Sequence, residues 1–460
     1  MDYIDFIEQK KIKIDSSGFE VDREQLNPVL FDFQKDIVSW ALRKGKAAIF
    51  AMTGLGKTLM QVEWANQVYK KEKGKHLILA PLAVSVQTIR EALKLDTEIH
   101  YFKSDEQLHE GINIANYEIL HKINADEVTS IVLDESSILK SYTGKVRNTI
   151  IDEFRYTPYK LACTATPAPN DHVELGNHSD FLDVMQGWEM LSLFFINDGD
   201  KANKWRLKGH AEADFWKWVA EWGVMITNPR DLGYEDSRYD LPPLNIEEII
   251  IKSEATDGYL IPMEAQTLSE RRQARRESLE DRCRTVAEIA NSTDKPFIAW
   301  CDLNDESKLL TELIEGAVEI KGADSPQHKE QAMIDFSEGK IKKLVTKPSL
   351  AGFGMNWQHC GDMAYTGLSD SFEQIFQSIR RSYRFGRTGP VNVSFVISEK
   401  EGAVLKNYRR KEETFNSMIE GMMKYTRDIT KENVRAPTKK EIIAKEAPQI
   451  IVPTWLKEVN

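Results

Sequence analysis

The sequence predicts an α/β protein: two lobes, each a parallel sheet flanked by helices, with a helical Trp-rich insertion and a helical C-terminal extension. Three observations carry this. Between about residues 47 and 166, short apolar runs ("AAIFAM", "HLILAPL", "GINIAN", "SIVLDE", "KLACTAT") alternate with helical patterns, each run bounded by Gly, Pro, Asp or Asn. Strands that alternate with helices build βαβ units and parallel sheets. The same alternation returns between about 296 and 398, in "PFIAWCD", "AVEIKG", "KKLVTK", "DMAYTG" and "VNVSFVIS". The stretch between differs. It holds Trp188, Trp205, Trp216, Trp218 and Trp222, half of the ten tryptophans, and ends at the paired prolines of "DLPPLN". The expected division is therefore 1–175, 176–290, 291–400 and 401–460.

Composition sets the class. A chain of 460 residues is too long for one ordinary core. Hydrophobic residues at 41% and charged residues at 29% make an ordinary globular balance. The net charge of −11 argues against a basic surface overall but leaves room for a local basic groove. Cys163, Cys283, Cys301 and Cys360 lie too far apart for a zinc knuckle or a redox motif, so a reduced, cytoplasmic setting is expected. No apolar run approaches the roughly 20 residues of a membrane span, and the charged start "MDYIDFIEQKKIKID" has no secretory core.

Taken in order, the first lobe opens with "AMTGLGKT", residues 51–58. A strand, a glycine turn and a helix is the setting a phosphate loop needs. Gly54 and Gly56 permit positive φ, so the backbone N–H groups of Thr53 to Thr58 can surround an anion at a helix N-terminus. Lys57 supplies charge to the β- and γ-phosphates of ATP, and the Thr58 hydroxyl can ligate Mg²⁺. Asp134 and Glu135 end the run "SIVLDE" at the carboxyl edge of the sheet, where ligands gather. There Asp134 would hold the metal through water and Glu135 would orient the attacking water. A surface loop is the plainer reading of Asp-Glu, and the preceding phosphate loop weighs against it. In "CTATPAPN", Thr164 and Thr166 are placed to link the nucleotide to the far lobe.

The second lobe carries "QSIRRSYRFGRTGPV". Arg381 and Arg384, three apart, would share one face of a helix. From there they could reach the γ-phosphate, or form a solvated basic helix end. Between the lobes, "RRQARR" puts Arg271, Arg272, Arg275 and Arg276 on one face that suits a phosphate backbone. Glu270, Glu277, Glu280 and Asp281 suit internal ion pairs equally well. The stripe Phe215, Trp218, Trp222 reads as packed core ahead of a base-stacking wedge.

At this point the residues resemble superfamily 2 helicase-like ATPases, most closely the Swi/Snf-type DNA translocases in the compact form found in bacteriophages. The similarity spans roughly residues 30–400. "FDFQ" resembles the glutamine motif, with Gln34 on the adenine edge, and "AMTGLGKT" motif I, so that Gln34, Thr53, Gly54, Leu55, Gly56, Lys57 and Thr58 hold the nucleotide. "LAPLAVSVQTIRE" and "ANYEIL" are similar to motifs Ia and Ib, "LDESSILKS" to motif II and "TATPAPN" to motif III. "KPSLAGFGMNWQ" is similar to motif V, and the arginine run that starts at Gln377 to motif VI. The resemblance implies two RecA-like lobes with ATP between them and nucleic acid across both. Lys57, Asp134, Glu135, Gln377, Arg381 and Arg384 are then the catalytic set, and Pro81, Asn116, Tyr117, Gly352 and Asn356 the backbone contacts. Three positions depart from the pattern. Ser137 stands where many relatives carry His or Gln, Thr88 where many carry Trp, and Arg387 where Swi/Snf proteins carry Gln.

The implied activity is ATP-driven translocation on duplex or branched DNA, by a monomer in the cytoplasm, or in the host cytoplasm for a phage chain. Replication or recombination proteins are the implied partners. RNA unwinding, strand separation or annealing at forks and recombination intermediates, and an inactive binding platform stay open.

Overall fold

The computed structural model describes residues 16–103, 107–141, 144–197, 205–252, 273, 275–351 and 355–435. The strands are β1 (Lys46–Ala51), β2 (Lys75–Ala80), β3 (Ile99–Tyr101), β4 (Gly111–Asn116), β5 (Val128–Asp134), β6 (Tyr159–Thr164), β7 (Phe195–Asn197), β8 (Trp205–Leu207) and β9 (Gly223–Ile226), followed by β10 (Leu244–Ile251), β11 (Phe297–Trp300), β12 (Ala317–Ile320), β13 (Lys343–Thr346), β14 (Asp362–Thr366) and β15 (Val391–Ser398).

They form the two expected sheets. The first runs β3-β4-β2-β5-β6-β1-β9 and the second β10-β15-β14-β11-β13-β12. Every pairing within them is parallel. Parallel sheets are covered on both faces, so their strands read as unbroken apolar runs. Ala47 to Ala51 and Leu77 to Ala80 are indeed buried throughout. The two-stranded β7-β8 hairpin stands apart.

Each sheet takes in a strand from the tryptophan-rich region. β9 pairs with β1, directly beside the phosphate loop. β10 pairs along its whole length with β15 at the edge of the second sheet. The aromatic stripe on the helix Glu212–Trp222 is core. Phe215, Trp216, Trp218 and Trp222 are buried, and Trp222 meets Phe50 of β1 edge-on at 6.1 Å. Each fully buried apolar side chain of this size contributes roughly 1.5–3 kcal/mol. These rings cannot also stack on bases.

After β15 the chain enters a 34-residue helix, Gly402–Arg435. It leaves the second lobe and packs on the first-lobe helices Asp32–Lys44 and Glu212–Trp222. Met418 and Met422 are buried along it, while Phe415 packs on Phe372 and Phe376 of the second lobe at 5.5 and 5.1 Å. Among the described residues, no helix is long and apolar enough to cross a membrane.

Candidate nucleotide cleft

β1 ends at Ala51, and the turn that follows leads into the helix Lys57–Lys71. Gly54 and Gly56 have φ of 93° and 79°, which a residue with a side chain adopts at a cost. Space adds a second reason for glycine. A Cβ on Gly56 would stand 2.2 Å from Gln34 Nε2, and one on Gly54 would stand 3.0 Å from the Phe385 ring of the other lobe. The second lobe therefore closes directly over this turn.

Gln34 braces the turn from below. Its Nε2 donates to the Leu55 carbonyl at 2.9 Å, and its Oε1 accepts from the Phe31 N–H at 2.9 Å. Each end of the amide keeps one further hydrogen-bonding position. Lys57 Nζ rests on the Ala51 carbonyl at 2.7 Å, and Thr58 begins the helix beside it. The Thr53 hydroxyl is buried without a partner.

β5 delivers Asp134 and Glu135 to the same edge. The Tyr117 hydroxyl supports this corner by donating to the Asp134 carbonyl at 2.7 Å. Glu135 has a φ of 54°, a left-handed conformation that costs a non-glycine residue about 1–3 kcal/mol. Asp134 Oδ2 and Glu135 Oε2 are buried and unpartnered. Burial raises the pKa of both carboxyls. Glu135 is pushed up to about 7, with Asp134 and Glu373 adding to burial and Lys57 and Arg381 opposing it. Burial lowers Lys57, against the pull of Glu135 and Asp134. Gln61, one turn along the helix from Lys57, is near enough to favour the ionised Asp134. Neither of its amide atoms reaches hydrogen-bond geometry.

From the second lobe come Gln377, Arg381 and Arg384. The expectation that both arginines share a helical face is corrected. The helix Phe372–Ile379 ends first, and both follow it in a turn. The reason is tertiary, because the Arg381 carbonyl accepts from the Trp357 N–H at 2.9 Å, which draws the chain off the helical path. The two side chains still converge. Both donate to the Met355 carbonyl, Arg381 at 3.1 Å and Arg384 at 3.4 Å, and Arg381 also bonds Gln377 Oε1 at 3.3 Å. Neither has a carboxylate ion-pair partner among the described residues. Burial and the adjoining Arg384 push Arg381 down to about 9, while Glu135 and Asp134 oppose. Burial likewise lowers Arg384.

Other predicted residues lie elsewhere. Thr164 Oγ1 accepts from the Thr166 N–H at 3.1 Å, and the Thr166 hydroxyl crosses to Glu373 of the second lobe at 3.3 Å. Asn116 is buried between Ser85 at 2.8 Å and Tyr101 at 2.9 Å, and the Tyr117 hydroxyl faces inward. Pro81 precedes the helix Leu82–Leu93, and Asn356 is exposed. Gly352, Arg271 and Arg272 lie outside the described residues. Arg275 is taken up by Asp302 at 2.5 Å, Glu401 at 2.9 Å and the Leu368 carbonyl at 2.7 Å, so it is ion-paired, but to acids of other elements and not to Glu270, Glu277, Glu280 or Asp281 of its own segment. Arg387 is spent on the carbonyls of Gln358 and Pro390.

Sequence reasoning missed Gln61, Lys140 and Glu373. Spacing could have found two of them, since Gln61 follows Lys57 by four and Glu373 precedes Gln377 by four on the same helix.

The unpartnered buried atoms test what the cleft can hold. Thr53 Oγ1, Asp134 Oδ2, Glu135 Oε2 and Gln377 Nε2 call for a polar guest, and Lys57, Arg381 and Arg384 for an anionic one. Among the described residues no group of three or more His, Cys, Asp or Glu could cage a metal. The unpartnered Asp134 Oδ2 could serve Mg²⁺, which takes one or two protein oxygens and completes its shell with phosphate and water.

No protein-family model matches the chain, and no curated protein sequence matches it. Among solved structures, the chain is similar to a Sulfolobus solfataricus SWI2/SNF2 ATPase core in complex with dsDNA. The two are 17% identical over 91% of this chain and 98% of that one, with a TM-score of 0.43.

Proposed function

We propose that the chain is an ATP hydrolase of the superfamily 2, Swi/Snf-like kind, which uses lobe closure to move along duplex or branched DNA. One observation carries the ATP-hydrolase reading: Arg381, which has no carboxylate ion pair among the described residues, stands against the acidic pair of the first lobe, and Arg384 lies close to Lys57 of the phosphate turn. A buried charge left unpaired is costly and points to a counter-charge that arrives with a ligand.

The backbone N–H groups of Thr53 to Thr58 cradle the β- and γ-phosphates, with the Lys57 ammonium against them. Gln34 stands beside the turn with amide positions left for the adenine edge. Mg²⁺ held by Thr58 and Asp134 would neutralise phosphate charge as it builds. Glu135 accepts a proton from water aimed in line at the γ-phosphorus, and a carboxyl pushed up to about 7 is well matched to that task. Arg381 and Arg384 stabilise charge on the departing phosphoryl group, and Gln377 holds Arg381 in place. ADP and phosphate leave, and the arginines lose the anion that held the lobes together.

The DNA half rests on the order of the motifs, with Pro81 and Asn356 the accessible candidates and Gly352 retained from the motif. Asn116 and Tyr117 act there by shaping the loop. ATP turnover is measured with single-stranded, double-stranded and forked DNA and with RNA, at stated salt. Stimulation by duplex or forked DNA, abolished by Lys57→Ala, is the expected result. Turnover indifferent to every nucleic acid would refute the translocase. Displacement of a third strand without unwinding separates translocation from strand separation.

A further inference from the structure

We propose that Glu373 is a positioning residue that clasps the two lobes: it takes Lys140 and Thr166 of the first lobe together and so sets where Gln377, Arg381 and Arg384 stand. This rests on the ATP-hydrolase reading above.

Each carboxylate oxygen of Glu373 has a different first-lobe partner. Oε1 accepts from the Thr166 hydroxyl at 3.3 Å, and Oε2 accepts from Lys140 Nζ. These partners come from the two loops that flank the acidic pair. Lys140 ends the short 3-10 turn Ser136–Lys140 that starts just after Glu135, and Thr166 lies two residues beyond β6. Glu373 is 4% exposed, so the ion pair is shielded on one side from water and salt. Another ion pair between the lobes, Arg90 to Glu330 at 3.6 Å, has both side chains at least half exposed, where such pairs contribute little.

The location gives the clasp its leverage. Glu373 sits in the first turn of the helix Phe372–Ile379, where the helix dipole favours a negative charge. Gln377 is one turn further along, and its backbone and side-chain oxygens both accept from Arg381. A rigid turn of helix therefore links the first-lobe loops to the arginine that faces Glu135. Glu174 and Glu135 are the other carboxyls close to Glu373, and Lys140 offsets Glu174 as well as pairing with Glu373. Lys140 thus answers two acids of this junction, with Lys411 also close to Glu174, and its loss leaves Glu373 buried without its ion-pair partner.

The test uses the full chain with spin labels at Tyr156→Cys and Lys308→Cys, exposed positions on opposite lobes. The four native cysteines are buried. Glu373→Ala and Lys140→Met should each lower kcat for ATP hydrolysis about 10-fold or more, as expected for displaced catalytic groups, with ATP affinity nearly unchanged. Both should broaden the distance between the labels. Glu373→Gln keeps the Thr166 contact without the charge and should fall between, which guards against a variant that merely unfolds. The exchanged pair Lys140→Glu with Glu373→Lys should restore the narrow distance. Parent-like kcat and distances in Glu373→Ala, with Lys57→Ala inactive, would overturn the clasp and leave the hydrolase standing. A parent chain that turns over no ATP would overturn the hydrolase, and the label distances alone would then decide the clasp.

Discussion

The second lobe buries two sets of arginines, and they are treated in opposite ways. Arg282 is fully enclosed and fully answered, by Glu306 at 2.9 Å, Ser278 Oγ at 3.0 Å and the Arg275 carbonyl at 2.6 Å, with Glu401 at 3.8 Å. Arg275 beside it is equally saturated. Arg381 is also buried, at 3% exposure, yet its partners are a glutamine and two backbone carbonyls. Desolvation costs both sets similarly. The first set is compensated by carboxylates within the fold, and the second is held by backbone carbonyls and a glutamine. Between these two sets, the difference is the missing counter-charge.

The widest separation should come from removing one arginine of each set. Arg381→Ala should lower kcat by about 10³-fold, measured as phosphate release at saturating ATP, with a melting temperature no lower than the parent's. Arg282→Met should do the reverse. It strands Glu306 and should destabilise the chain by about 3–5 kcal/mol in urea unfolding, with turnover per folded molecule unchanged. Adding Glu306→Gln, which removes the stranded charge while its amide oxygen still accepts from the Asp302 and Leu303 N–H groups, should recover part of that loss. If Arg282→Met were neutral, or Arg381→Ala strongly destabilising, the contrast would collapse.

A subtler difference lies in pH. The Glu135 carboxyl is pushed up to about 7 from an ordinary 4.5, so the folded chain holds this proton more tightly than the unfolded one does. Stability from this group is present below about pH 4.5 and is lost as pH rises through 7. Turnover runs the other way, and kcat/KM should rise through about pH 7 as the base ionises. Glu135→Gln should abolish turnover and raise stability above pH 7 by roughly 1–3 kcal/mol, a gain that disappears at pH 4.5. Equal stability of parent and variant at both pH values would show that the cleft stores no such cost. The smallest effect belongs to the exposed pair: Arg90→Ala should change stability by less than about 1 kcal/mol and leave kcat alone.

These contrasts also explain what the sequence could and could not reveal. The strands that end at Ala51, Asp134 and Thr164 were legible because parallel strands write themselves as apolar runs with polar ends. β9 and β10 were not, because a four-residue strand after an aromatic helix and a strand with two acids at its centre ("LNIEEIII") acquire their identity from the sheets they join. The arginines could be singled out from the sequence as candidates, but their local structure could not. Spacing three apart suggests a helix, and the Trp357 N–H, distant in sequence, overrides it. For Asn116 and Tyr117, the direction of each side chain depends on Ser85, Tyr101 and Asp134, which no local pattern encodes.

The helix Gly402–Arg435 has a consequence for how the molecule comes apart. It starts in one lobe and covers the tryptophans of the other, and Gly421 lets the Trp216 indole approach so closely that an added Cβ would stand 2.8 Å from it. Neither lobe can then be excised intact. Ending the chain at Ser398 would uncover an aromatic layer in the lobe that was kept whole. Heating should accordingly melt both halves in a single calorimetric transition.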